Sequence, residues 1–179
     1  MSIVVAVVLI ILGILVLLVV LASLTSDTYS IHATIIINRP SHIVYDFVKY
    51  LKHADRYNKW TMLDPNIKRS FIGSDGTVGF VSYWDSEVKQ IGKGEQEITG
   101  VDEGRRVDYE IRFEKPFQNT ASAHISTSPV SESKTEVKWV FGGKRNIVLK
   151  MIHLVFNLPT MLQKDLTESL HNMKRVLED

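Results

Sequence analysis

The chain has 179 residues, enough for one ordinary domain plus a short additional segment. Its net charge of +1, from 21 Lys and Arg against 20 Asp and Glu, argues against a nucleic-acid-binding protein, which usually carries a basic excess. The lack of cysteine excludes disulfides, thiolate metal sites, iron–sulfur clusters and a cysteine nucleophile.

The N-terminal segment is apolar and uncharged up to Asp27. A helix over the run Ile3–Leu24 would be roughly 33 Å long, against about 30 Å for a bilayer's hydrocarbon core. A cleaved signal peptide would need a basic start and an apolar core of about 7–15 residues, and this run has neither. We therefore predict a transmembrane helix within residues 1–26 and a single-pass membrane protein. The nearest basic residue, Arg39, favours a cytoplasmic domain under the positive-inside rule, but the side stays open.

The next residues alternate between strand and helix patterns. Period-two alternation predicts a strand over Tyr29–Asn38. Pro40 and Ser41 then open a helix with apolar residues at helical spacing up to Leu51. A second short polar helix or turn follows over Lys52–Asn58. Further strands, separated by glycine and proline turns, are predicted at Lys68–Ile72, Val78–Asp85, Lys89–Val101, Arg105–Glu114, Thr120–Thr127 and Thr135–Gly142.

The C-terminal part returns to a helical pattern. Ile147–Leu158 is apolar nearly all round, which fits burial under the sheet, contact with the bilayer or a mobile lid. Pro159 breaks or restarts the helix, and an apolar stripe then runs from Leu162 to Leu177. We predict an α+β fold for residues 27–179, with a curved antiparallel sheet of about seven strands wrapped on the long C-terminal helix.

Six stretches of the chain, in the order and spacing of these elements, carry a family resemblance. They are Asn58-Lys-Trp60 with Asp64-Pro65, Gly73–Gly79 with Tyr83-Trp84, Gly92–Ile98, Phe113–Phe117, Thr135–Trp139 and Leu170–Lys174. Together they resemble the SRPBCC or START-like helix-grip superfamily, which includes lipid-transfer, plant-allergen-like and polyketide cyclase/dehydrase domains. The resemblance covers about Tyr29 to the C-terminus, and His171 departs from it where many relatives have glycine. It implies an apolar cavity between sheet and helix that binds hydrophobic molecules.

Large apolar side chains on the predicted inner face, the C-terminal helices and nearby loops are candidates for lining this cavity, although an ordinary core uses the same residue types. These candidates are Trp60, Trp84, Tyr109, Phe113, Phe117, Trp139, Phe141, Met151, Val155 and Leu162.

No catalytic residue is identified in the sequence. The six His are scattered without metal-ligand spacing, so we expect neither metal nor cofactor. Acid/base chemistry is conceivable for several charged residues, but strand alternation favours a solvated outer face for them. These are Asp85, Glu95, Glu97, Glu110, Arg112 and His124.

We predict that the protein is anchored in a membrane and binds a hydrophobic, lipid-like small molecule. The membrane and this ligand are the expected partners, and nucleic acid is not expected to be one. One alternative is an enzyme resembling a polyketide cyclase or dehydratase, which needs an acid/base group in the cavity. Another is a non-catalytic interaction module. A cavity too small for a ligand of about 300 Å³ would favour that module.

Overall fold

The N-terminal helix α1 covers Ile3–Ser23 in the computed structural model, which describes residues 2–179. Residue 1 of the predicted segment 1–26 lies outside this description. The Ser2 side chain caps α1 by accepting a hydrogen bond from the Val5 amide. With a mean hydropathy of 3.8, α1 is long and apolar enough to cross a membrane, properties that it shares with signal sequences.

Seven antiparallel strands form one curved sheet and confirm the predicted α+β class. They lie in the order β1-β7-β6-β5-β4-β3-β2. Only residues 24–27 separate α1 from β1. The strands are β1 (Thr28–Ile37), β2 (Lys68–Ile72), β3 (Val81–Asp85), β4 (Lys93–Asp102), β5 (Arg106–Lys115), β6 (Asn119–Ser131) and β7 (Lys134–Lys144).

Several short helices and one long helix pack on the sheet. The helix α2 (Ser41–Lys49), a 3₁₀ helix (Leu51–Arg56) and α3 (Lys59–Met62) connect β1 to β2. The C-terminal helix α5 (Leu158–Glu178) contacts β1 and β7. Its apolar stripe is buried, and the fully covered members are Leu166, Leu170 and Met173. The core therefore lies between the sheet and α5, as the amphipathic stripe predicted.

One end of the sheet lies next to α1. We call it the α1 edge and define it by Thr28, which begins β1, and its partner Lys144, which ends β7. The β5–β6 turn lies at the same edge, because Phe113 in β5 pairs with Asn119 in β6. The β6–β7 turn, with Ser131 paired to Lys134, lies at the opposite end.

The helix α4 (Ile147–Phe156) resolves the ambiguity of the apolar segment before Pro159. It is not buried under the sheet, because several of its large apolar side chains are exposed. The helix ends before Asn157, whose backbone is left-handed with φ of 48°, a conformation that Asn tolerates. Pro159 lies in the first turn of α5, where its missing N–H is tolerated.

Candidate functional site

A cavity of about 180 Å³ lies between the sheet and the helices. Its walls come from strands β2 to β7, the β3–β4 loop, the 3₁₀ helix, α3 and the first turns of α5. Most of the lining is apolar. The lining residues are Leu51, Ala54, Trp60, Thr61, Ile67, Arg69, Ser82, Trp84, Gln90, Ile91, Gln96, Ile111, Phe113, Ala123, Trp139, Phe141 and Leu162.

The cavity lies in the half of the sheet nearest the α1 edge. Phe141 and Phe113 both line it and lie within three residues of Lys144 and Lys115, which end their strands at this edge. Trp84 lies next to the end of β3 at the same edge. Any opening of the cavity in this direction therefore faces the side on which α1 joins the domain.

The Asn58-Lys-Trp60 stretch holds one wall in place. Asn58 caps α3, since its side-chain oxygen accepts a hydrogen bond from the Trp60 amide at 3.0 Å. The Lys59 ammonium pairs with Asp165 at 2.8 Å and Glu168 at 2.6 Å, both on α5. These contacts fix α3 against α5 and so hold the Trp60 ring at the cavity.

Aromatic rings form the apolar surface in edge-to-face pairs, a favourable arrangement for π-systems. The rings of Trp60 and Trp139 have centroids 6.5 Å apart at 88°. The rings of Trp84 and Phe113 are 5.8 Å apart at 76°. The Trp84 indole N–H donates to the Ile91 carbonyl at 3.3 Å, which fixes that ring at the β3–β4 loop.

Polar groups interrupt the apolar lining at a few points. The Arg69 guanidinium pairs with Asp55, with 2.8 Å between Nη2 and Oδ1. Burial lowers the pKa of Arg69, and the Asp55 charge opposes this shift. Two buried donors of the lining, Arg69 Nε and Trp139 Nε1, have no hydrogen-bond acceptor among residues 2–179. An unpaired buried N–H is costly, so an acceptor supplied by a ligand would be favourable here.

Six of the ten candidate lining residues border the cavity, and four lie elsewhere. Tyr109 is 2% exposed and donates its hydroxyl hydrogen to the Val48 carbonyl within the core. Phe117 is 65% exposed in the β5–β6 loop. Met151 and Val155 are on α4 and do not reach the cavity. The six bordering residues, whose contact with a ligand stays a prediction, are Trp60, Trp84, Phe113, Trp139, Phe141 and Leu162.

Sequence reasoning missed the polar part of the lining. The inward position of Gln96 could have been predicted, because it is two residues from the fully buried Ile98 on the same strand and therefore shares its face. Arg69 had no such signal. Its neighbour of the same parity, Phe71, is exposed, and its partner Asp55 comes from the 3₁₀ helix.

The candidate acid/base residues lie away from the cavity. Glu95, Glu97 and Glu110 all pair with Arg112, whose Nη2 lies 2.6 Å from Glu97 Oε2. The hydrogen bonds that Arg112 donates to these carboxylates, the one to Glu97 first, raise the pKa of Arg112. This cluster lies on the face of β5 opposite Phe113, as alternation predicted. Asp85 and His124 do not line the cavity either.

Metal binding has no structural support within residues 2–179. No three His, Asp or Glu side chains of this part of the chain come together in a metal-binding arrangement. A cation of the kind that proteins hold with His and carboxylate ligands therefore has no preformed site there.

Comparison with solved structures places this architecture among known folds. A protein from Thermobifida fusca matches with a TM-score of 0.61 and 12% identity, covering 83% of this chain and 92% of its own. A protein from Chromobacterium violaceum matches with a TM-score of 0.58 and 14% identity, covering 86% and 98%. Norcoclaurine synthase from Thalictrum flavum, in complex with dopamine and hydroxybenzaldehyde, matches with a TM-score of 0.61 and 12% identity, covering 84% and 86%. At these identities the likeness shows a shared fold.

Sequence comparisons then identify the family. No curated protein matches the chain. The model of one family, described as polyketide cyclase / dehydrase and lipid transport, matches residues 28–178, almost the whole chain after α1. This confirms the superfamily to which the sequence motifs pointed. The chain belongs to the polyketide cyclase / dehydrase and lipid transport family.

Proposed function

We propose that this protein binds a hydrophobic, lipid-like small molecule in the cavity between the sheet and α5, and that α1 anchors it in a membrane. The observation that carries the proposal is the aromatic, apolar cavity at the α1 edge. Lipid-like molecules are scarce in water and concentrated in bilayers. A cavity on the α1 side of the domain would lie close to that supply.

The volume of the cavity limits how much of a ligand it can enclose. Binding pockets for drug-sized molecules measure about 300–1,000 Å³, and about 150 Å³ holds a molecule the size of benzene. A cavity of about 180 Å³ therefore accommodates one ring or a short acyl segment. We propose that a larger ligand would leave part of itself outside the cavity, and that an oxygen atom of the enclosed part would accept a hydrogen bond from Arg69 Nε or Trp139 Nε1.

The same volume favours a second candidate function, a non-catalytic interaction module. At about 180 Å³ the cavity falls below the lower limit of about 300 Å³ for ordinary ligand sites. An acid/base enzyme has less support. The described lining contains hydrogen-bonding groups on Thr61, Arg69, Ser82, Gln90 and Gln96 but no carboxylate or imidazole.

Native mass spectrometry of the full-length protein, extracted in a mild detergent, tests ligand binding. We expect a stoichiometric hydrophobic molecule that is lost in Ala123→Leu, a substitution that takes up about half of the cavity. Ala121→Leu is the matched control, because Ala121 lies on the same face of β6 but does not line the cavity. A protein that carries no small molecule and binds no added fatty acid or sterol would leave the interaction module as the better assignment.

Membrane anchoring and its direction need a separate experiment. Arg145 and Lys150 lie at the C-terminal end of α1, whereas the segment before Asp27 has no charge, which favours a cytoplasmic domain. Because the chain lacks cysteine, Val130→Cys would provide a single thiol far from α1. We expect a membrane-impermeant maleimide to label it in inverted vesicles and not in right-side-out cells. The opposite labelling would reverse the orientation, and release of the protein by alkaline carbonate would contradict anchoring.

A further inference from the structure

The helix α4 buries polar side chains and exposes apolar ones, which is the opposite of an amphipathic helix in a soluble domain. Its buried side chains are Lys150, which is 6% exposed, and His153. Its outward side chains are apolar. Val155 is 57% exposed and Phe156 is 64% exposed. The large exposed side chains of this outward face are Ile147, Val148, Leu154, Val155 and Phe156. In water such a face is unfavourable, because contiguous apolar surface remains hydrated.

The buried polar side of α4 is tied to the C-terminal end of α1. The Lys150 ammonium lies 2.6 Å from the Asp27 carboxylate and donates to the Thr25 carbonyl at 2.8 Å. Arg145 Nη2 donates to the Ser26 carbonyl at 2.7 Å. Both carbonyls lie in the connection that directly follows α1. The C-terminal end of a helix is the negative end of its dipole, so cations beside it are favourable. These contacts fix the position of α4 relative to α1.

The contact with α1 also sets the depth of α4. The two helices pack together, and the covered residues in the second half of α1 are Leu18 and Ala22, which share one face; Thr25, just after the helix, is half-buried as well. Ala22 is completely buried. At 1.5 Å per residue, Leu18 lies about 8 Å inside the end of α1 at Ser23. Amphipathic helices that lie in a membrane surface insert by about 5–10 Å, which is the same depth.

We propose that the outward face of α4 lies in the interfacial region of the bilayer that α1 spans. This inference rests on the proposed anchoring by α1 and adds a second, surface-lying membrane contact. Its occupant is the lipid bilayer, because the apolar face is continuous with α1 and is held at interfacial depth by Lys150 and Arg145.

This placement orients the cavity. The α5 helix begins directly after α4, and Leu162, in its first turns, lines the cavity. The strand residues around the cavity cluster at the α1 edge. With α4 lying in the membrane surface, the α1 edge faces the lipid headgroups and the domain has one fixed tilt instead of rotating freely on its short connection.

Site-directed spin labelling of the full-length protein tests this proposal. Val155→Cys and Phe156→Cys would each carry a nitroxide, in vesicles of phosphatidylcholine with a minor fraction of phosphatidylglycerol. We expect both labels to collide preferentially with oxygen, which partitions into the bilayer, over a water-soluble nickel chelate. Val130→Cys is the matched control. It replaces another exposed apolar side chain at the opposite end of the sheet, and we expect its label to be accessible to nickel.

A label at Leu12→Cys, in the middle of α1, separates the failure of this inference from the failure of anchoring. Oxygen-accessible Leu12→Cys together with nickel-accessible Val155→Cys and Phe156→Cys would overturn the α4 placement and leave anchoring intact. A nickel-accessible Leu12→Cys would overturn both. Dipolar broadening of the Val155→Cys spectrum that persists on dilution with lipid would show a second copy of the chain on this face, and would overturn the assignment to the bilayer.

Discussion

Filling the cavity gives the sharpest test of the candidate site. Ala123 on β6 lines the cavity, with Tyr109 and Phe141 as its cross-strand neighbours. Ala123→Leu adds three carbon atoms, and if each takes about as much space as a water molecule in the liquid, about 30 Å³, they take up about half of the available 180 Å³. Ala121 is two residues away on the same face, is buried, and does not border the cavity. Ala121→Leu therefore places the same three atoms at a buried position outside this cavity.

The two substitutions should change the free energy of unfolding in opposite directions. Burying three carbon atoms in existing space contributes up to about 2.4 kcal/mol, less about 0.5–1 kcal/mol of lost side-chain entropy. Overpacking at Ala121 costs about 1–3 kcal/mol. For a chain of this size 1 kcal/mol corresponds to about 2–4 °C in Tm. We expect Ala123→Leu to raise Tm by about 3–8 °C and Ala121→Leu to lower it by about 2–12 °C.

Thermal unfolding of the purified full-length variants in one detergent measures both shifts, and native mass spectrometry on the same samples reports bound ligand. A bound ligand also stabilises the wild type by mass action, so Tm is compared after delipidation. An equal loss of stability in the two variants would show that the space beside Ala123 is already filled, and would refute the cavity as a binding site.

Three further predictions concern other parts of the chain. Lys150→Met removes the ion pair with Asp27 and the hydrogen bond to the Thr25 carbonyl, so amide hydrogen exchange in α4 should rise, whereas Lys144→Met, at an exposed position, should not change it. Burial lowers the pKa of His153, so below about pH 6.5 the unfolded state binds more protons than the folded state. Stability should therefore fall as pH drops from about 7 to 5, and His153→Gln should flatten this dependence in pH-dependent unfolding more than His32→Gln, at an exposed site. Gly94→Ala places a Cβ too close to the Arg112 carbonyl oxygen of β5, and circular dichroism should show a loss of several degrees in Tm; an unchanged Tm would contradict the strand spacing.

The sheet and its partner helix were predictable because each strand has one dry and one wet face. Alternation in β5 identified Tyr109 as inward and Arg112 as outward, and both orientations are confirmed. Strand starts were less predictable. Val78 and Lys89 were expected to begin strands, but β3 begins at Val81 and β4 at Lys93. Glycines with positive φ precede both starts and keep the chain in turns, a conformation that hydrophobic alternation does not reveal.

The orientation of α4 and the polar part of the cavity lining could not be predicted from the sequence. The pattern of a helix that is apolar nearly all round does not indicate which face is buried, so nothing indicated that Lys150 and His153 would be its buried residues. Their burial depends on partners distant in the chain, namely the end of α1 and Tyr29, whose ring lies 4.8 Å from that of His153. The pairing of Arg69 with Asp55 is long-range in the same way. Hydrophobic periodicity indicates which face of a single helix or strand is buried, but it does not indicate contacts between residues distant in the chain.

The short connection between α1 and β1 limits the transport routes open to a membrane-anchored form of this protein. Residues 24–27 reach at most about 14 Å when fully extended, and the contacts of Lys150 and Arg145 shorten that reach. A domain held this closely cannot swing across an aqueous gap to load one bilayer from another. Under the proposed function, its exchange partners would be the leaflet beneath it and any soluble acceptor that comes to it. The protein would then bind and release its ligand at one membrane and would not carry it between two.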